Sequence, residues 1–186
     1  MEGRNILAKA NLSQLAIIDV QIKLAPVMQV DAMQMALKNI GILVQAANFL
    51  QVPIVVTEQY PQGLGSTVPE IAQLIQKMKP IEKTVFSACK APKFNQQCVK
   101  EKSQIILTGM EAHICILQTA MDLLKANKQV FVVEDAVISR NSVNKANAIA
   151  RMRDAGCIIT NTESVVFEWL GRAEGDVFKA ISKLIR

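Results

Sequence analysis

The sequence predicts an α/β fold: a three-layer α/β/α sandwich around a mostly parallel sheet of about six strands. Three observations lead there. Short apolar runs rich in Ile and Val alternate with longer segments of helical periodicity along one chain. The runs are nearly continuous in apolar residues, the mark of strands buried on both faces. The 186 residues, 51% hydrophobic and 20% charged, are enough for one substantial core and unlike a disordered chain.

The strand runs are Leu15–Val20, Pro53–Thr57, Gln104–Thr108, Gln129–Glu134 and Cys157–Thr160, with Thr84–Phe86 as a short sixth. Between them the spacing predicts helices. Asp31–Leu50 is apolar around much of its circumference, and Pro53 follows its end. Its excess of apolar residues fits either a subunit interface or cover by neighbours in the same chain. Thr67-Val-Pro-Glu70 reads as a capping box opening a helix over Val68–Met78. Pro92 can start a helix reaching Lys102. Cys115–Asn127 carries a stripe of Ile116, Leu117, Ala120, Met121 and Leu124. Asn141 can cap a helix to Ala155, which Gly156 stops. Glu163–Leu170 and Asp176–Ile185 complete the set. Strand, helix, strand in repetition implies right-handed crossovers and helices on both faces. No linker, repeat or low-complexity tract divides the chain, so residues 1–186 read as one domain.

Charge and cysteine content narrow the function. The net charge is +5, yet Lys and Arg are scattered, and Arg151-Met-Arg153 runs into Asp154. Aromatic residues, 4% of the chain, are not interleaved with basic ones as a single-strand platform needs, so no nucleic-acid partner is expected. Met1-Glu-Gly-Arg-Asn5 lacks a signal-peptide pattern, and the apolar runs are too short to span a bilayer. Cys89, Cys98, Cys115 and Cys157 form no CxxC pair, and one histidine cannot complete a usual Cys/His zinc set. A reduced, cytoplasmic protein with free thiols is the simplest expectation.

Ligands of open parallel sheets bind beyond the carboxyl ends of the strands. The reactive residues expected there are Asp19, Glu58, Cys115 and Asp135, with Lys83 just before the short third strand. Cys115 stands where a helix begins after a strand and turn. The partial positive charge and free N–H groups of a helix N-terminus favour a thiolate and can bind an oxyanion. Asp19 can move the proton, and Lys83 can hold negative charge and lower the thiol pKa. Taken singly, each has a plain structural reading. A lone Cys is most often core, an Asp at a strand end is often a cap, and a Lys is usually solvated. Cys98, one turn after Phe94, and Cys157, opening a strand, read as core; Cys89 fits either role. His113, the only histidine, stands open between base, substrate contact and structural residue, since residues two apart on a helix face different ways. There is no GxGxxG after the first strand, no GxxxxGK[ST] and no GxSxG, which excludes Rossmann dinucleotide, P-loop and serine-hydrolase readings.

Ile17-Ile-Asp-Val-Gln21, Thr57-Glu-Gln-Tyr-Pro-Gln-Gly-Leu-Gly65, Glu82-Lys-Thr-Val-Phe86, Gly109-Met-Glu-Ala-His-Ile-Cys-Ile-Leu-Gln118 and Asp135-Ala-Val-Ile-Ser-Arg-Asn141 together resemble the isochorismatase-like cysteine hydrolases, over about Leu15 to Leu184. The resemblance implies the isochorismatase-like (Rossmann-like) fold. It implies a catalytic triad of Asp19, Lys83 and Cys115, attack on an amide-type C–N carbonyl, and an acyl-enzyme that water resolves. It also implies a cis peptide at Met110–Glu111 that aims the N–H groups of Glu111 and Cys115 at the oxyanion. Gln21, Tyr60, Phe86 and His113 are the expected substrate contacts. The metal-binding histidines of nicotinamidases have no counterpart in Glu58-Gln-Tyr-Pro-Gln-Gly63, so no metal and no cofactor are expected. Isochorismatases that cleave a vinyl ether lack the nucleophilic Cys, which favours acyl chemistry here. Leu24 stands where the family often has an aromatic residue, which alters the pocket wall. The expected partners are a small-molecule substrate and further copies of the chain in a homo-oligomer. The alternatives are a non-catalytic binding or assembly protein of this fold, and a vinyl-ether hydrolase.

Overall fold

The computed structural model describes residues 6–76 and 78–185. The segment read for an export signal, Met1–Asn5, lies outside them. Six strands form one all-parallel sheet in the order β3-β2-β1-β4-β5-β6. They are β1 (Ser13–Ile18), β2 (Ile54–Gln59), β3 (Ile81–Lys83), β4 (Gln104–Met110), β5 (Gln129–Ile138) and β6 (Ile158–Thr160). The helices are α1 (Val30–Phe49), α2 (Pro61–Leu64), α3 (Pro69–Ala72), α4 (Pro92–Gln97), α5 (Leu117–Lys125), α6 (Ser142–Asp154), α7 (Thr162–Leu170) and α8 (Gly175–Ile185).

Strand alternation divides the core in two. Leu15, Ile17, Ile106, Phe131 and Val133 point to the face covered by α1, α3, α7 and α8. Ala16, Ile18, Ile105, Leu107, Val130 and Val132 point to the face covered by α4, α5 and α6. Both faces of the central strands are sealed, which is why their sequences run apolar without alternating with polar residues. The apolar excess of α1 is largely met inside the chain: Met33, Ala36, Ile40, Leu43, Val44 and Ala47 are buried against that face, while Val30, Met35 and Phe49 stay exposed.

Several expectations are corrected. The third strand is Ile81–Lys83 rather than Thr84–Phe86. Ile81 and Lys83 point inward, while Val85 and Phe86 turn away from the ladder and lend their carbonyls to the Lys83 ammonium. The capping box at Thr67 does not form. The Thr67 hydroxyl and backbone N–H both donate to Glu58 Oε1 at 2.7 Å, and this buried carboxylate out-competes the helix terminus. The helix expected over Val68–Met78 shortens to Pro69–Ala72, and the one from Pro92 ends at Gln97. Strand β5 continues past Glu134 to Ile138 through a register shift against β4. At Asn141 the cap holds: its side chain accepts from the N–H groups of Val143 and Asn144.

Candidate active site

The strand order reverses between β1 and β4, where successive connections leave toward opposite edges of the sheet. A crevice opens beyond the carboxyl ends at such a point. Asp19 follows β1, Gln59 ends β2, Lys83 ends β3, and Cys115 follows β4.

Asp19 leaves β1 with a left-handed φ of 54° while its N–H still donates to the Thr57 carbonyl. A non-glycine residue held there marks a site that the surrounding structure over-determines. On β4, Gly109 has φ 114°, and a Cβ would collide with the Ile18 carbonyl oxygen. Only glycine lets the ends of β1 and β4 approach this closely. The chain then passes through a cis peptide at Met110–Glu111 into a single π-helical turn, Ala112–Ile116. Regular helix begins only at Leu117, so Cys115 lies inside the π turn and not at the opening of an α-helix as expected. Such turns recur at functional sites because they re-aim side chains.

These elements bring Asp19, Lys83 and Cys115 together. Lys83 Nζ lies 2.6 Å from Asp19 Oδ2, 2.7 Å from Gln59 Oε1 and 3.7 Å from Cys115 Sγ. The carbonyls of Val85 and Phe86, each at 3.2 Å, complete its surroundings. The ion pair is sealed from solvent, with side-chain exposures of 0% for Lys83 and 1% for Asp19. The other Asp19 oxygen accepts from the Thr57 hydroxyl at 2.7 Å. Gln59 donates its amide N–H to the Thr84 carbonyl, which fixes its oxygen toward Lys83.

Burial first, and then the negative charge of Asp19, push the Cys115 thiol up to about 12; Lys83 pulls the other way and loses. Asp19 adds to the rise by accepting a hydrogen bond from the thiol. The expectation of a thiol lowered by a helix terminus and Lys83 is therefore corrected: at rest the sulfur is protonated, beside a carboxylate able to take its proton.

A cavity of about 110 Å³ opens onto these groups, lined by Asp19, Leu24, Gln59, Leu64, Phe86, Met110, Glu111, Ile114 and Cys115. Of the expected substrate contacts, Phe86 is in this wall, as is Glu111, whose Oε2 accepts the Arg140 N–H at 3.0 Å. Gln21 is fully buried and spends its amide on the backbone of Gln59 and Gly65, fastening the turn that carries Leu64. Tyr60 lines a neighbouring cavity of about 410 Å³ with Pro61, Gln62 and Glu82. His113 is half-buried, and its Nδ1 lies 2.9 Å from the Ser139 hydroxyl, outside the wall. Of the other strand-end acids, Glu58 holds Thr67, and Asp135 accepts from the N–H and hydroxyl of Thr162.

Sequence reasoning missed Gln59, Leu64 and Ile114. The strand read as Pro53–Thr57 put Glu58 at its end, whereas Gln59 is the last residue of β2 and the register partner of Lys83. Among the described residues no group of three or more His, Cys, Asp or Glu side chains is arranged to hold a metal ion. Nor is any helix there long and apolar enough to cross a membrane.

Comparison with known proteins adds identity to this geometry. The isochorismatase domain model matches residues 13–164. Isochorismatase domain-containing protein 2 of Bos taurus is 41% identical over 144 residues, covering 77% of this chain and 70% of its own. A secreted isochorismatase effector of Phytophthora sojae is 40% identical over 150 residues, covering 77% and 71%. Among solved structures, one described as the MAR1 ribonuclease of Caenorhabditis elegans superposes with a TM-score of 0.90 at 37% identity, over 96% of this chain and 92% of that one. The Escherichia coli YcaC product, described as an octameric hydrolase of unknown specificity, shares the fold with a TM-score of 0.89 at 21% identity, over 98% and 91%. The β1–β4 crevice, with its acid, ammonium and thiol, thus sits in a chain that belongs to the isochorismatase domain family.

Proposed function

We propose that this chain hydrolyses a small amide-type C–N bond through an acyl-enzyme on Cys115. One observation carries the reading: Asp19 and Cys115 line one cavity, and a single enclosed ammonium, Lys83 Nζ, lies 2.6 Å from the Asp19 carboxylate and 3.7 Å from the Cys115 sulfur. Asp19 takes the thiol proton as sulfur attacks the carbonyl carbon. The carbonyl oxygen becomes an oxyanion, held by the backbone N–H groups of Glu111 and Cys115. Its collapse breaks the C–N bond. The leaving nitrogen takes the proton from Asp19 and departs as ammonia or an amine. Water, giving a proton to Asp19, then attacks the thioester, and the carboxylic acid and free thiol are released. Lys83 keeps its charge throughout and holds Asp19 in place.

The chain is further proposed to assemble with copies of itself, by analogy with the octameric YcaC product. A reducing, cytoplasmic setting is proposed from its four free thiols; the secreted Phytophthora relative is the counter-example that fractionation of the native protein would weigh. The ribonuclease description of the worm structure suggests phosphodiester cleavage as a second reading. The cavity's charges disfavour it. Asp19 and Glu111 would face a phosphodiester, while the Lys83 ammonium is enclosed and already bonded.

The test is a panel of carboxamides, a vinyl ether and an RNA oligonucleotide, with Cys115→Ala as control. Hydroxylamine is added to divert an acyl-enzyme to hydroxamate. The expected result is ammonia release and hydroxamate formation, both lost in Cys115→Ala. Amide turnover that survives in Cys115→Ala rejects the mechanism, and turnover confined to the vinyl ether or RNA rejects the reaction class. No turnover of any kind would favour a binding protein.

A further inference from the structure

We propose that the Cys115 cavity admits only short, uncharged aliphatic acyl groups, so that the substrate is a neutral carboxamide with two to four acyl carbons. This rests on the amide-hydrolysis reading and narrows it. Size is the first argument. A buried cavity of about 150 Å³ accommodates benzene, and this one measures about 110 Å³. Four to six heavy atoms fill it, which is acetamide to butyramide. A longer straight chain exceeds this space.

Polarity is the second argument. Leu24, Leu64, Phe86 and Ile114 supply the apolar part of the wall. The charged members, Asp19 and Glu111, are both carboxylates, and each already has a cation: Lys83 at 2.6 Å and the Arg140 Nε at 3.7 Å. Lys83 is hemmed by two side-chain oxygens, two carbonyls and the Cys115 sulfur, so it has no face left for a substrate carboxylate. An anionic acyl group would lose its water and find no free cation there among the described residues, since Lys83 and Arg140 are already engaged by the two carboxylates. A cationic one would find both carboxylates already neutralised.

Leu64 sets the length limit. It ends the four-residue helix α2, and the Gln21 amide pins the following residue, Gly65, through its carbonyl at 2.6 Å. The leucine is thereby held over the cavity on a fastened turn.

The experiment measures kcat/KM for acetamide, propionamide, butyramide, hexanamide, pivalamide, benzamide, glycinamide and succinamate. Each methylene buried should raise kcat/KM about fourfold up to butyramide, and hexanamide should fall below it. Succinamate should fall at least about a hundredfold below butyramide, and glycinamide, pivalamide and benzamide should also lie below it. Leu64→Ala should move the optimum to pivalamide or hexanamide. A wild-type preference for succinamate, glycinamide or benzamide, or an optimum unmoved by Leu64→Ala, would overturn the inference and leave amide hydrolysis standing. Should no amide be turned over, the hydrolase reading falls by itself, and the cavity is then read by alkylation. Iodoacetamide and iodoacetate are compared at Cys115 by peptide mass spectrometry, with free glutathione as reference. The neutral reagent should be favoured at Cys115 at least about tenfold more than at glutathione; an equal ratio overturns the inference.

Discussion

Lys83→Met separates the electrostatic role of the ammonium from the shape of its side chain. Methionine keeps an unbranched apolar stem of similar length and deletes the charge. The wild-type carboxylate of Asp19 is 1% exposed and accepts from Lys83 at 2.6 Å and from Thr57 at 2.7 Å. After the substitution only the Thr57 hydroxyl remains of these two. Removing one partner of a buried ion pair costs about 3–5 kcal/mol, because the other charge is left uncompensated. A small domain has about 5–15 kcal/mol of stability, so the variant should still fold, with a clearly lower urea midpoint. The second half of the cycle adds Asp19→Asn. With the carboxylate neutralised, the double variant should lose only about 1–2 kcal/mol, roughly 2–3 kcal/mol less than Lys83→Met alone and well below the sum of the two singles. The assay is urea unfolding at pH 7 of the wild type, both single variants and the double. A Lys83→Met cost below about 1 kcal/mol, or a double variant equal to the sum of the singles, would refute the idea that this pair is a sealed electrostatic unit.

Three further measurements probe parts of the same frame. The Cys115 thiol is raised from 9.0 to about 12 in the fold, so it contributes stability that is fully present below about pH 9 and lost as pH climbs toward 12. Between pH 8 and pH 10 the wild type should lose about 1.4 kcal/mol more than Cys115→Ala, read from urea midpoints at each pH. Gly109→Ala should cost at least about 2 kcal/mol in thermal or urea unfolding, since alanine is strained at φ 114° and its Cβ meets the Ile18 carbonyl. Asn141→Ala removes the α6 cap and should cost about 1 kcal/mol while amide turnover stays at the wild-type level, which calibrates stability loss against loss of function.

The strands most directly read from the sequence are those sealed on both faces. Leu15–Ile18, Ile105–Leu107 and Val130–Val133 leave water on neither side and so carry an unbroken apolar signal. At the β3 edge of the sheet the signal fails, whereas β6 at the other edge kept a legible Ile158-Ile159 pair. In β3 only Ile81 and Lys83 are buried, and a strand whose inward residue is a lysine looks like loop until its acid is known. Thr67 shows the limit of local rules. Its hydroxyl had two possible uses, and the Glu58 carboxylate, nine positions earlier, took it. Asp19 and Cys115 were legible because a parallel sheet gathers its strand ends on one side; Lys83, expected just before a strand, was joined to them by the family resemblance. Gln59, Leu64 and the re-aiming of Cys115 were not legible. They depend on the β2–β3 register, on a side chain clamping a distant turn, and on a π turn with no signature in composition.

The raised thiol bears directly on how a nucleophile arises in the proposed mechanism. With the thiol at about 12, roughly one molecule in 10⁵ holds a free thiolate at pH 7. A standing thiolate is thus a poor account of reactivity, and the adjacent carboxylate becomes essential. If Asp19 takes the proton as sulfur attacks, the reactive form is the neutral thiol together with the ionised acid. No ionisation of the thiol then precedes attack. Alkylation of Cys115 by iodoacetamide should then be flat between about pH 6 and 8 and ahead of Cys89, Cys98 and Cys157 at the acid end. In Asp19→Asn only the thiolate can react, so the rate should fall and rise about tenfold per pH unit. A wild-type rate that itself climbed tenfold per unit would remove Asp19 as the base, whatever its distance from Lys83, and would leave the ion pair with a purely structural role.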